Sequence, residues 1–332
     1  MNPSVAPIDF PQQLPAGYRY QRETIKFDPD RHLQLEPPEA TLQLSDLGYR
    51  ADEIERCPTA FAVSSAARIL SDEGVEVMLE TTRRLKRHSV NCERIENMVR
   101  GGVYQSEFLR DFCLCTEVTD FLCDIFGTPV APHTMPLHLG HLNYAPDDLK
   151  RSVDKWHHDT LGLDYVLMVS DPTQLQGGEF QYFKGTRHEA QDYADRNEPI
   201  PDDRVCTPDF PSAGYAIVLH GNMVVHRATR LTQRAERITL VNGYVPLNCE
   251  INDACRFQDL SLVDPHHVLF TEWARHKAWL SVGKLQNLIT NMPFTDDKQE
   301  ITAQLRDAIA EVETAIEDIN DDKQAVMIHY GD

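Results

Sequence analysis

The spacing of apolar residues divides the chain into helical flanks around a strand-rich centre. Residues 60–88 read as helical: Val75, Leu79, Thr82 and Leu85 recur at intervals of three or four, and Ser71-Asp72-Glu73 resembles a helix start. A second helical stretch covers residues 107–126, with Phe108, Leu109, Phe112, Val118, Phe121, Leu122 and Ile125 apolar, and Gly127 and Pro129 ending it. Residues 135–144 alternate, and 161–170, 179–183, 215–219, 223–226 and 238–245 read as further strands. Residues 264–289 turn helical again. A last helix over 295–320 carries Leu305, Ile309, Val312, Ile316 and Ile319 at spacings of four, three, four and three. That narrow seam suits packing on the protein's own sheet, and would also suit a homodimer.

Helices on either side of one long β-rich block predict a single α+β domain around a β-sandwich or barrel. Within it we expect an arm over 1–60, helical support over 60–130, a core over 131–250 and C-terminal helices over 260–325. An acidic, Pro-rich insert at 184–212 shows no strand pattern. Connections of that length are often lids or binding loops, and equally often plain surface excursions.

Composition narrows the partners. A formal charge of −20 argues against a nucleic-acid groove and against docking on an anionic membrane. Eight cysteines without a C-x-x-C pair suggest neither a disulfide framework nor a zinc site. With no apolar leader and no run of membrane-spanning length, a cytoplasmic setting is expected.

The candidate chemistry lies between residues 155 and 245. In a strand, residues two apart share a face, so His157 and Asp159 would aim at one point and His158 away. Alone, this pair is expected by chance in a chain with 14 histidines and 52 acidic residues. Three further features shift the balance. Gly177-Gly178-Glu179-Phe180 makes a tight entry to another strand, His226 ends an apolar run, and Arg237 opens the next strand with Thr239 on its face. His226 could fold back onto the first pair across a sandwich. Two histidines and a carboxylate on one face of a metal leave positions open, as in non-haem Fe(II) oxygenases. A guanidinium beside a hydroxyl suits bidentate capture of a carboxylate. His220, followed by Arg230, competes with His226 as the distal histidine. His138 and His141 read as hydrogen-bonded core residues, and Trp156 as packing.

The order of Trp-His-x-Asp, Gly-Gly-Glu-Phe, the 184–188 turn, His226 and Arg-x-Thr resembles the iron(II)/2-oxoglutarate-dependent oxygenases, most of all their phytanoyl-CoA-dioxygenase-like branch. The resemblance covers residues 60–250. It implies a double-stranded β-helix, the cupin-like jelly roll. It implies His157, Asp159 and His226 as iron ligands, with Arg237 and Thr239 on 2-oxoglutarate and Asn143 or Tyr144 orienting it. Fe(II), 2-oxoglutarate and O2 would then act on a C–H bond of a small metabolite, amino-acid-like or a carboxylic acid neutralised by a local arginine. Hydroxylation is the expected outcome, desaturation or cyclisation the variants, with succinate and CO2 released. The Asp159 carboxylate disfavours a halide-binding variant. Rival readings are a cupin-like Zn or Mn hydrolase or isomerase, and a catalytically silent jelly-roll binding protein.

Overall fold

The computed structural model describes residues 4–321 and 326–331. Two antiparallel sheets form its centre. In the larger, the strands run in the order Leu33–Glu36, Ala67–Leu70, Tyr215–Leu219, Leu163–Met168, Ile238–Pro246, His141–Tyr144 and Met98–Val99, with Thr41–Gln43, Phe61–Ser64 and Val130–Pro132 attached. The smaller runs Val205–Cys206, Phe180–Phe183, His226–Ala228 and Asp154–His157.

Period-two alternation sorts the large sheet's side chains. One phase (Leu142, Tyr144, Leu163, Tyr165, Leu167, Leu240 and Tyr244) is buried with Phe108, Phe112, Val118, Leu122 and Phe126 of two helices. The other phase (Asn143, Val166, Thr239 and Val241) lines a cavity shared with His157, Phe180, His226 and Ala228 of the small sheet. The cavity therefore lies between the sheets.

Several sequence expectations need correction. Residues 61–70 form the strands Phe61–Ser64 and Ala67–Leu70, and the helix is Asp72–Leu85, with the Ser71 hydroxyl capping Gly74 N–H at 3.0 Å. A short, mostly buried apolar run has no periodicity that separates strand from helix. The helix over 107–126 is two, Glu107–Cys113 and Thr116–Phe126, and Gly127 closes the second at φ 66°. Residues 136–138 form a tight helical turn, so the strand is only His141–Tyr144. Residues 223–225 precede the strand His226–Ala228. The 184–212 insert contains a helix, Arg187–Asp195, opened by a capping box between Thr186 and Glu189. It packs Ala190 and Ile200 against Trp156, and none of its residues faces the cavity.

The C-terminal helix Lys298–Asn320 overturns the expected packing. Most of its seam points outward, with Leu305 49%, Ile309 42% and Ile316 58% exposed, while Ile319 at its end packs against the cluster of Phe257 and Trp273. It meets helix His266–Asn291 through Ala308, Glu311 and Ala315 instead. Small residues allow close approach, and Glu311 accepts from the buried Lys277 (2.8 Å) and Lys284 (3.4 Å).

Candidate metal centre and carboxylate pocket

His157 and His226 are cross-strand partners on neighbouring strands of the small sheet, not residues facing each other across a sandwich. Their rings lie 4.2 Å apart between centroids. Each Nδ1 hydrogen-bonds a carbonyl two residues earlier: His157 to Lys155 O at 2.7 Å and His226 to Val224 O at 3.0 Å. A carbonyl only accepts, so each ring in its neutral form carries its proton on Nδ1 and presents a bare Nε2. Both Nε2 atoms face Asp159, at 3.4 Å from Oδ1 and 3.4 Å from Oδ2.

Three acceptors thus converge in a buried place with, among the described residues, no donor between them. Burial pulls the His226 pKa down to about 4, with the neighbouring His157 adding to the effect. Burial acts against ionising Asp159, and positive charge on the His226 and His157 side outweighs it, holding the carboxyl below the usual range only when a proton or another cation sits between the rings and the carboxylate. The arrangement is electrostatically incomplete without a cation, and its two imidazoles and one carboxylate are the donor set of an open-sided non-haem iron site. The residues fit that metal.

Asp159 follows the strand and is held by its own N–H, which donates to Gly221 O at 2.8 Å. A Cβ at Gly221 would lie 2.2 Å from Asp164 Oδ2 and 2.9 Å from Asp159 Oδ2, so only glycine allows this approach. Neither Gly221 nor Asp164 was singled out from sequence. Asp164 is fully buried, and burial together with the Asp159 charge pushes its pKa up, favouring a neutral carboxyl. A lone acid inside the apolar run 163–169 was the available signal.

Arg237 reaches the cavity from the large sheet. It is buried, and its Nε donates to Gly178 O at 2.8 Å while Nη1 lies 3.5 Å from Thr239 Oγ1. The Gly177-Gly178 pair makes this possible, with φ of 80° and 75°. A Cβ at Gly178 would stand 3.0 Å from Arg237 Cδ. Among the described residues no carboxylate lies within ion-pair distance of this guanidinium. Burial lowers its pKa to about 10, only partly offset by Asp154 and Glu179. An isolated buried cation is a costly thing to keep.

Of the other predicted residues, Asn143 lines the cavity and pairs across strands with Thr239, its Oδ1 2.6 Å from His141 Nε2. Tyr144 takes the opposite phase, so it faces the core and donates its hydroxyl to Thr82 O at 2.7 Å. It is not brought to the cavity. His158 turns away, as expected, toward Tyr330 and Arg256. His220 is buried with Nδ1 on Phe61 O and stands outside the converging group. His138 and His141 border the cavity and contact Arg100, which is paired with Asp264.

A second cluster, His133, Cys255 and His276, also gathers donor atoms within 4.8 Å. Its protons are arranged differently. Met135 N–H donates to His133 Nδ1, which puts the ring proton on Nε2, 3.6 Å from Cys255 Sγ. His276 is bracketed by Thr134 Oγ1 at 2.6 Å and Asp253 Oδ2 at 3.1 Å. A Thr134 hydroxyl donating to Nδ1, and Nε2–H donating to Asp253, satisfy the ring fully. This cluster is complete as a hydrogen-bond network and requires no cation.

No family model matches the chain, and no curated protein matches it significantly. Solved structures do. The non-heme alpha ketoglutarate dependent epimerase SnoN from nogalamycin biosynthesis is 15% identical, with 61% of this chain and 83% of that one covered at a TM-score of 0.42. HygX from Streptomyces hygroscopicus with iron bound is 15% identical, with 56% and 82% covered at 0.41. The non-heme monooxygenase ThoJ, as a nickel complex, is 12% identical, with 80% and 98% covered at 0.42. These are distant likenesses.

Proposed function

We propose that the chain is an Fe(II)/2-oxoglutarate-dependent oxygenase built on a jelly-roll core. One observation carries the reading: a triad of acceptors that would suit a cation shares a cavity with a buried guanidinium that has, among the described residues, no carboxylate within ion-pair distance. A divalent metal completes the first and a dicarboxylate the second. His157, Asp159 and His226 would hold the iron, Arg237 and Thr239 the distal carboxylate of 2-oxoglutarate, and Asn143 would flank it. Bound together, iron and 2-oxoglutarate supply the activation of O2 that oxidises a C–H bond, giving succinate, CO2 and the hydroxylated product.

The protein's own part is ligation, orientation and exclusion of water. The carbonyls of Lys155 and Val224 fix both imidazoles in the metal-binding tautomer. Ionised Asp159 contributes the charge. Leu161, Val166, Phe180 and Val241 give the cavity apolar walls that keep water from the reacting carbon. The substrate is a small molecule. An acidic group on it would compete with Asp154 for Arg94 and with Asp264 for Arg100, which favours a largely uncharged body.

Anaerobic addition of Fe(II) and then 2-oxoglutarate tests this. A visible metal-to-ligand charge-transfer band that needs both additions, and fails in Arg237→Ala, is expected. Metal-dependent hydrolysis or isomerisation that survives Arg237→Ala, with no such band, would establish the cupin-like alternative.

A further inference from the structure

The edge of the small sheet is the strand Asp154–His157, and the C-terminal residues cover it. Trp156 N–H donates to Gly331 O at 3.0 Å, and Tyr330 N–H returns a bond to Trp156 O at 2.7 Å. The Tyr330 hydroxyl lies 2.6 Å from His158 Nδ1, whose Nε2 is 2.9 Å from Arg256 Nη1. Arg256 in turn pairs with Asp259, beside the cavity, and reaches Asp159 O at 3.4 Å. His329 Nε2 stands 3.6 Å from Glu93, in the loop whose Cys92, Arg94 and Ile95 line the cavity. Ile328 packs with Trp156, Phe183 and Val225, while Met327, one residue earlier, faces the cavity and is buried there.

We propose that residues 326–331 are a strap that completes the active cavity, with Met327 as a specificity-determining wall and Tyr330 as a positioning residue for the metal-bearing strand. The proposal rests on the oxygenase reading for its catalytic meaning. Its geometry is independent of that reading. Two backbone bonds add the strap to the sheet edge, the same recognition mode by which an extended peptide joins an exposed strand. Alternating side chains then go to opposite sides, Ile328 and Tyr330 to the Trp156 cluster and Met327 to the cavity. Methionine's flexible side chain suits a wall that must repack around a ligand.

The test uses the full-length chain and its variants Met327→Ala, Met327→Trp, Tyr330→Phe and Tyr330→Pro, the last removing the N–H that bonds Trp156 O. Two quantities are read: hydrogen exchange at the Trp156 amide, and the rate at which 1,10-phenanthroline extracts Fe(II) from the loaded protein. Tyr330→Pro is expected to exchange Trp156 and lose iron at least tenfold faster, with exchange at the Leu167 amide of the large sheet unchanged. Met327→Ala should accelerate extraction and Met327→Trp slow it, with the 2-oxoglutarate Kd unchanged within about twofold, because Arg237 and Thr239 lie on the other sheet. Tyr330→Phe should speed extraction by a smaller factor. Unchanged extraction in both Met327 variants would overturn the wall, and unchanged Trp156 exchange in Tyr330→Pro would overturn the strap. If the intact chain binds no Fe(II), the oxygenase reading fails, and the exchange measurement still decides the strap.

Discussion

At the residue scale the two histidine clusters teach by contrast. Both bring imidazoles within ligand distance, yet only one leaves lone pairs facing a carboxylate. We therefore expect one equivalent of tightly bound metal per chain, measured by elemental analysis after dialysis. His157→Ala or His226→Ala should abolish it with the circular-dichroism spectrum intact, and Cys255→Ala or His276→Gln should retain it. A second equivalent lost on changing Cys255 would show that the proton assignment at His133 is wrong. Arg237 makes a different forecast. Removing one partner of a buried charge-assisted pair costs about 2–5 kcal/mol, so Arg237→Ala should weaken 2-oxoglutarate binding by at least about thirtyfold in titration calorimetry. Because the guanidinium has no anionic partner among the described residues, Arg237→Met should lower the thermal midpoint of the ligand-free protein little, or raise it.

At the scale of elements, turns place what strands cannot. Gly221→Ala would set a methyl group against two carboxylates, and loss of metal binding is expected even where the fold survives. Serine there, larger and no better placed, should do the same. The C-terminal helix separates the two readings of its seam. With Ile309 outward and Ala308 buried, Ile309→Gln should change stability by less than about 0.5 kcal/mol. Ala308→Leu should destabilise by about 1–3 kcal/mol in denaturant unfolding, since the extra methylenes have no room. Spacing alone revealed that this helix had an apolar stripe. It could not reveal that alanines and a glutamate on another face would meet the neighbouring helix, because that choice was set by the buried Lys277 and Lys284.

At the scale of the whole molecule, acid stability follows from the buried histidines. Burial lowers His220 and His226 to about 4 and His141 and His158 to about 3, from an ordinary value of 6.5. Their neutral forms are favoured in the fold, whereas the unfolded chain takes up protons below pH 6.5. Stability is thus fully present above that pH and lost as pH falls from 6.5 toward 3–4, by about 1.4 kcal/mol per unit for each group. Unfolding by circular dichroism should set in between about pH 6 and 4 in the metal-free protein. A bound divalent metal holds His226 unprotonated and should move the onset to lower pH.

The sequence by itself determined the chemical inventory: a two-residue spacing that aims His157 and Asp159 together, a glycine pair before a strand, and an arginine and threonine on one strand face. These are local relations, fixed by the pleat of a single strand. It also marked most helix and strand positions wherever periodicity was sustained. Tertiary structure decided everything that depends on which strands are neighbours. Register set His226 opposite His157 rather than across the sandwich, and strand phase gave Asn143 to the cavity and Tyr144 to the core. Close approach of distant backbone demanded Gly221 beside Asp164. Pairing between strands far apart in the chain is a matter of contacts, and no single stretch of residues contains it.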